Sequence, residues 1–134
     1  MSTMWMLLYE LAPEPRDQLL QQARPVRFPA NTLIFQEQQH ADRFWIIEAG
    51  RVVLGRHAPG RSIAPVDTLV PGDLLGCSWM IPPHRWRFDA TTTTEVHALE
   101  FDGQAVSELC AQDASVSEAV SATVAAAMAR RLLT

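Results

Sequence analysis

The stretch Ala41-Asp42-Arg43-Phe44-Trp45-Ile46-Ile47-Glu48-Ala49-Gly50-Arg51-Val52 decides the fold. In an extended chain Phe44 and Ile46 point to one face, and Trp45 and Ile47 to the other. Both faces are therefore apolar, which fits a strand in the middle of a sheet, covered on both sides. Ala49-Gly50 supplies a turn, and Val52–His57 reads as the returning strand.

Outward from this pair the same texture repeats. Val26–Phe28, Thr32–Gln36, Ile63–Val70, Trp86–Thr94 and Val96–Phe101 are short runs rich in apolar or β-branched residues. Pro29-Ala30-Asn31, Ala58-Pro59-Gly60 and Pro71-Gly72-Asp73 break them. Short strands at spacings of about 8–12 residues indicate a sandwich or barrel. Helical patterns lie at both ends. Pro13 and Pro15 flank the start of a helix over 14–23, with Leu19, Leu20 and Ala23 as its apolar face and Pro25 as its stop. Asp102 is placed to cap a helix over Gly103–Ala111. Asp113 and Ser115 can cap a last helix over Val116–Leu132. The fold class is thus mainly β: a jelly roll over 26–101, a short N-terminal helix, and C-terminal helices over 103–133.

Composition narrows the function. The chain has 134 residues, the size of one domain, and 48% of them are hydrophobic, enough for a core without covalent staples. Its formal charge is −4, whereas a nucleic-acid-binding surface calls for a basic patch. All eleven basic residues are arginine, so lysine Schiff-base chemistry is excluded. Cys77 and Cys110 make no disulfide framework and read as reduced thiols in a cytoplasmic protein. Met4–Leu8 lacks the basic flank of a signal peptide. The apolar stretch Ala119–Ala129 is too short to cross a bilayer.

Four segments carry a resemblance: Phe28-Pro29-Ala30-Asn31-Thr32-Leu33-Ile34-Phe35, the Ala41–Val52 stretch, Pro71-Gly72-Asp73-Leu74-Leu75-Gly76, and Ala90-Thr91. In order and spacing they resemble the cyclic-nucleotide-binding effector domain of the catabolite activator protein (Crp/Fnr-like) class. Asn31 stands where that family usually has a turn glycine, and Asn tolerates positive φ. The resemblance implies a β-roll with a phosphate-binding cassette over 72–91. It also implies a short helix over Ser78–Ile81 facing the ligand, and pairing of two copies through the last helix.

Residue by residue, the implied ligand site comprises Gly76, Cys77, Ser78, Trp79, Arg85, Arg87, Ala90 and Thr91. Two positions depart from the family pattern. Cys77 replaces the Glu that holds the ribose hydroxyl, and a thiol is a poor acceptor. Phe88 replaces the Arg that meets the phosphate. Strand alternation puts Trp86, Phe88 and Ala90 on one face, inward, with Arg85, Arg87 and Asp89 on the other. Two inward rings would then occupy space that a purine would use. A bulge between Arg87 and Ala90 would instead turn Arg87 inward. Pro82-Pro83-His84-Arg85-Trp86 reads either as a partner-docking knob or as a rigid loop with Trp86 in the core.

No catalytic constellation is present. His40, His57, His84 and His97 are scattered, and Cys77 with His84 does not complete a metal site. Neither cysteine shows the base and orienter of a nucleophile. The expected protein is a non-enzymatic sensory module, without cofactor or metal, that binds a small molecule or nucleotide and signals through its last helix. The alternative is an interaction or assembly domain that keeps the roll without a ligand. Val116, Val120, Val124, Met128 and Leu132 form one apolar stripe, and close-packing alanines beside it make that helix the expected homodimer contact. No helix-turn-helix follows the roll, so no DNA binding is expected from this chain alone.

Overall fold

The computed structural model describes residues 11–56 and 64–133, with residues 64 and 130–133 described by their backbone alone. Met4–Leu8, His57, Ile63 and the side chain of Leu132 therefore lie outside the described residues.

Helix α1, Pro13–Gln21, has proline at its first turn, where the missing N–H costs nothing. It ends earlier than Pro25 alone suggests, because strand β1 already starts at Ala23 and runs to Phe28. Pro25 sits inside that strand opposite Leu99, which is allowed because β1 is an edge strand. Strands β2 (Leu33–Phe35), β3 (Arg43–Ala49), β4 (Val52–Arg56), β5 (Ala64–Leu69), β6 (Leu74–Leu75), β7 (Asp89–Thr92) and β8 (Val96–Asp102) follow. They form two antiparallel four-stranded sheets, ordered β1-β8-β3-β6 and β2-β7-β4-β5. This is the β-roll expected from the sequence. β3 is an inner strand, and Phe44, Trp45, Ile46 and Ile47 are all buried. The turn residue Asn31 has φ 60°, as its position required.

One hydrophobic core joins Phe44, Ile46, Val96 and Ala98 of the first sheet to Phe35, Val52, Leu54 and Ala90 of the second. Helix α2, Gly103–Gln112, starts at Asp102, whose carboxylate accepts from the Gln104 and Ala105 amides at 2.9 and 3.1 Å. The carboxylate of Asp113 accepts from the amide and the hydroxyl of Ser115 at 2.9 and 2.6 Å at the start of helix α3, Ala114–Leu133. The Ser115 hydroxyl holds that carboxyl below its usual range.

Helix α3 turns most of its apolar stripe inward. Val116, Val120 and Val124 are buried within the protomer, at 0, 2 and 5% exposure. The helix packs on α1, α2, β6 and the turn that follows β6. These three valines of the stripe thus pack on the protomer itself. Met128, at 37%, is the exposed member of the stripe among the described side chains.

Candidate functional site: a cavity beside the Gly76 turn

Strand β6 pairs Leu74 and Leu75 with Ile46 and Trp45, and the chain then reverses at Gly76 with φ 109°. A Cβ there would lie 3.1 Å from the Arg43 carbonyl oxygen and the Phe44 Cα. Both the dihedral and the space demand glycine. A single 3-10 turn, Cys77–Trp79, follows in place of the expected helix over Ser78–Ile81. Trp79 is drawn under the roll, its ring 4.9 Å from that of Phe44, which leaves Cys77 and Ser78 beside a cavity of about 340 Å³.

The opposite wall comes from Ile81, Trp86, Arg87 and Phe88. The segment before it is strapped to the loop between β2 and β3. His84 accepts at its carbonyl from the Ala41 amide at 2.7 Å, and the Gln39 carbonyl accepts from the Trp86 amide at 2.9 Å. The guanidinium of Arg85 donates to the Gln38 carbonyl at 2.9 Å, so Arg85 faces away from the cavity. Trp86 is buried, stacked on Phe35 at 3.9 Å and tilted against Trp45 at 5.9 Å. Of the two readings of the Pro82–Trp86 segment, its conformation matches the rigid loop with Trp86 in the core.

After Trp86 the chain bends at Arg87 and Phe88 before β7 begins. Strict alternation therefore fails. Asp89 is buried and accepts from the Glu37 amide at 2.6 Å, so it is not the partner of Arg87. Arg87 and Phe88 both border the cavity. Arg87 is exposed and makes no side-chain hydrogen bond or ion pair among the described residues. Phe88 carries the Arg56 guanidinium over its ring at 5.3 Å. The rings do not fill the space, because Trp86 lies flat against Phe35.

Of the eight anticipated residues, the structure brings Gly76, Cys77, Ser78 and Arg87 to the cavity. Trp79 and Arg85 point elsewhere. Ala90 is fully buried, level with Phe35 and Leu54 in the register. Thr91 pairs with Leu33 and Val53 on the other face of the sheet, and its Oγ1 is buried with no hydrogen-bond partner. Neither Ala90 nor Thr91 borders the cavity. The closing end of the site thus lies at residues 86–88, upstream of the dipeptide that marked it in the sequence.

The sequence pattern did not single out Phe35, Leu54, Leu75, Asp67 and Val66 as lining residues, and it placed Met128 elsewhere. Phe35 and Leu54 flank Ala90 in one inward row, a signal available only once the register is known. Among the described residues, Asp67 is the second charged lining side chain. One of its carboxylate oxygens accepts from the Thr68 amide at 2.8 Å. Met128 reaches the cavity from α3, so the last helix forms part of its wall.

Residues 25–113 match the cyclic nucleotide-binding domain family. The chain belongs to that family. It is 34% identical over 100 residues to a CRP-like cAMP-activated global transcriptional regulator of Mycobacterium tuberculosis, a match that covers 75% of this chain. The matched region spans 45% of that regulator's length. In three dimensions the cyclic nucleotide-binding domain is similar to a Geobacter metallireducens protein named for cyclic-nucleotide binding. The TM-score is 0.85 at 24% identity, with 97% of this chain and 94% of that one covered. It is also similar to the catabolite activator protein of Thermus thermophilus. There the TM-score is 0.77 at 21% identity, with 96% of this chain and 60% of that one covered.

Among the described residues no helix is long and apolar enough to cross a membrane. Cys77 and Cys110 are not joined in a disulfide. Burial pushes the Cys110 thiol up.

Proposed function

We propose that this cyclic nucleotide-binding domain is a non-enzymatic regulatory module that binds a small anionic effector in the cavity beside Gly76 and passes its occupancy to α3. The carrying observation is the lining of the cavity: Arg87 offers a cation, and Met128 brings α3 to the same space. A cavity of about 340 Å³ lies within the usual range for small-molecule sites. An effector that touches Met128 in one position of α3 and not in another would bias the helix by that difference in affinity.

Cyclic AMP, the activator for which the mycobacterial relative is named, fits this site poorly. Cys77 offers no carboxylate to a ribose, and Arg87 is the one guanidinium lining the cavity among the described residues. A lost charge-assisted hydrogen bond costs about 1.5–3 kcal/mol. We expect a dissociation constant for cyclic AMP weaker than micromolar, and calorimetry that gives micromolar or tighter binding contradicts this. The chain by itself is not expected to hold DNA. For the regulatory reading, a thermal-shift screen of nucleotides and small acids is the direct test. A ligand at 100 times its dissociation constant adds about 2.7 kcal/mol of stability. Bound ligand should also slow amide exchange around Met128. A ligand that binds in the cavity and leaves that exchange unchanged refutes transmission through α3.

A further inference from the structure

We propose that the effector is an aromatic acid, a flat apolar body bearing one anionic group, and not a sugar phosphate. This rests on the reading of the cavity as an effector site and deepens it. The walls are built mainly of hydrocarbon: Phe35, Leu54, Leu75, Ile81, Trp86 and Phe88. The Trp86 indole lies parallel to Phe35 at 3.9 Å and 11°, which presents a rigid aromatic surface at the cavity. The Arg56 guanidinium lies over the Phe88 ring at 5.3 Å. Such surfaces favour a planar apolar ligand, because stacked or tilted rings gain more than burial of area alone.

Among the described residues, charge at the cavity is sparse. Arg87 can take one carboxylate in a bidentate fork. A sugar brings several hydroxyls, and each one buried without a partner weakens binding by about tenfold. Against those hydroxyls the described polar side chains at the cavity, besides Arg87, are Ser78, the Cys77 thiol and Asp67, and Asp67 already holds the Thr68 amide.

The probe is 1-naphthoate, followed by quenching of tryptophan fluorescence and by calorimetry on the full chain. Its neutral counterpart is 1-naphthalenemethanol, and cyclic AMP is the sugar-phosphate comparison. Naphthoate should bind at least about tenfold tighter than either. In Arg87→Gln the acid should lose about tenfold and approach the alcohol, while the melting temperature stays within about 1 °C because Arg87 is exposed. Cyclic AMP binding tighter than naphthoate overturns the aromatic-acid proposal and leaves the effector site standing. Naphthoate affinity unchanged in Arg87→Gln also overturns it. If none of the three probes binds the folded chain, the proposal fails, and the effector-site reading rests on the wider screen alone.

Discussion

The two walls of the cavity are built in opposite ways. On the opening side, Leu74, Leu75, Gly76 and Cys77 are all buried, with β3 on one side and α3 behind. On the closing side, Arg85 and Arg87 are exposed and Phe88 is half-buried, while Trp86 is buried and the backbone before Arg87 is bonded to the loop between β2 and β3. The first wall is fixed by packing, so its residue identities are dictated by shape. The second is held by its backbone and by the Trp86 ring, so the exposed side chains beside that ring are free to change with the ligand. Recognition chemistry should therefore vary on the closing side and stay constant on the opening side.

The largest effect should come from removing the backing of the opening wall. Val124 is 5% exposed and shares a small apolar space with Phe44, Leu74, Trp79 and Val120. Val124→Glu places an unpaired carboxylate there, and the protein should lose about 4 kcal/mol or more. Denaturant unfolding checks the magnitude, and light scattering checks the state. A stable, folded variant that merely changes from dimer to monomer would show that Val124 belongs to a contact between copies after all.

Gly76→Ala is the next step down, and it tests the opening wall without adding charge. A Cβ at φ 109° and 3.1 Å from backbone atoms of Arg43 and Phe44 should cost about 2–4 kcal/mol through dihedral strain and overpacking. A loss below about 0.5 kcal/mol would mean that this wall yields, and the contrast between the two walls would go with it. That glycine was legible in the sequence through the family resemblance, and the structure supplies its physical reason in the dihedral and the close backbone. The Phe44–Ile47 run was legible from its pattern, since an apolar residue on each face has few places to go. The register past Trp86 was not. Alternation holds only where strand pairing enforces it, and the bend at Arg87 and Phe88 precedes β7. The stripe on α3 gave a covered face, and Val116, Val120 and Val124 are covered by the protomer itself. Periodicity reports that a face is covered but not whether the cover comes from the same chain or another.

The smallest effect sharpens the comparison most, because it separates two arginines that the sequence could not rank. Arg85 and Arg87 are both exposed and stand two residues apart. Arg85 donates to the Gln38 carbonyl on the outside of the loop, while Arg87 borders the cavity. Exposed single contacts of this kind contribute little, so Arg85→Gln should shift stability by no more than about 0.5 kcal/mol. It should also leave naphthoate affinity within about twofold, since Arg85 shares no partner with the cavity. Calorimetry on Arg85→Gln beside Arg87→Gln distinguishes the two roles. Equal losses in both variants would mean that the two cations act as a diffuse field around the opening, in which case raising the salt should weaken both alike. A loss confined to Arg87→Gln, persisting at high salt, is the signature of a guanidinium in direct contact with the anion.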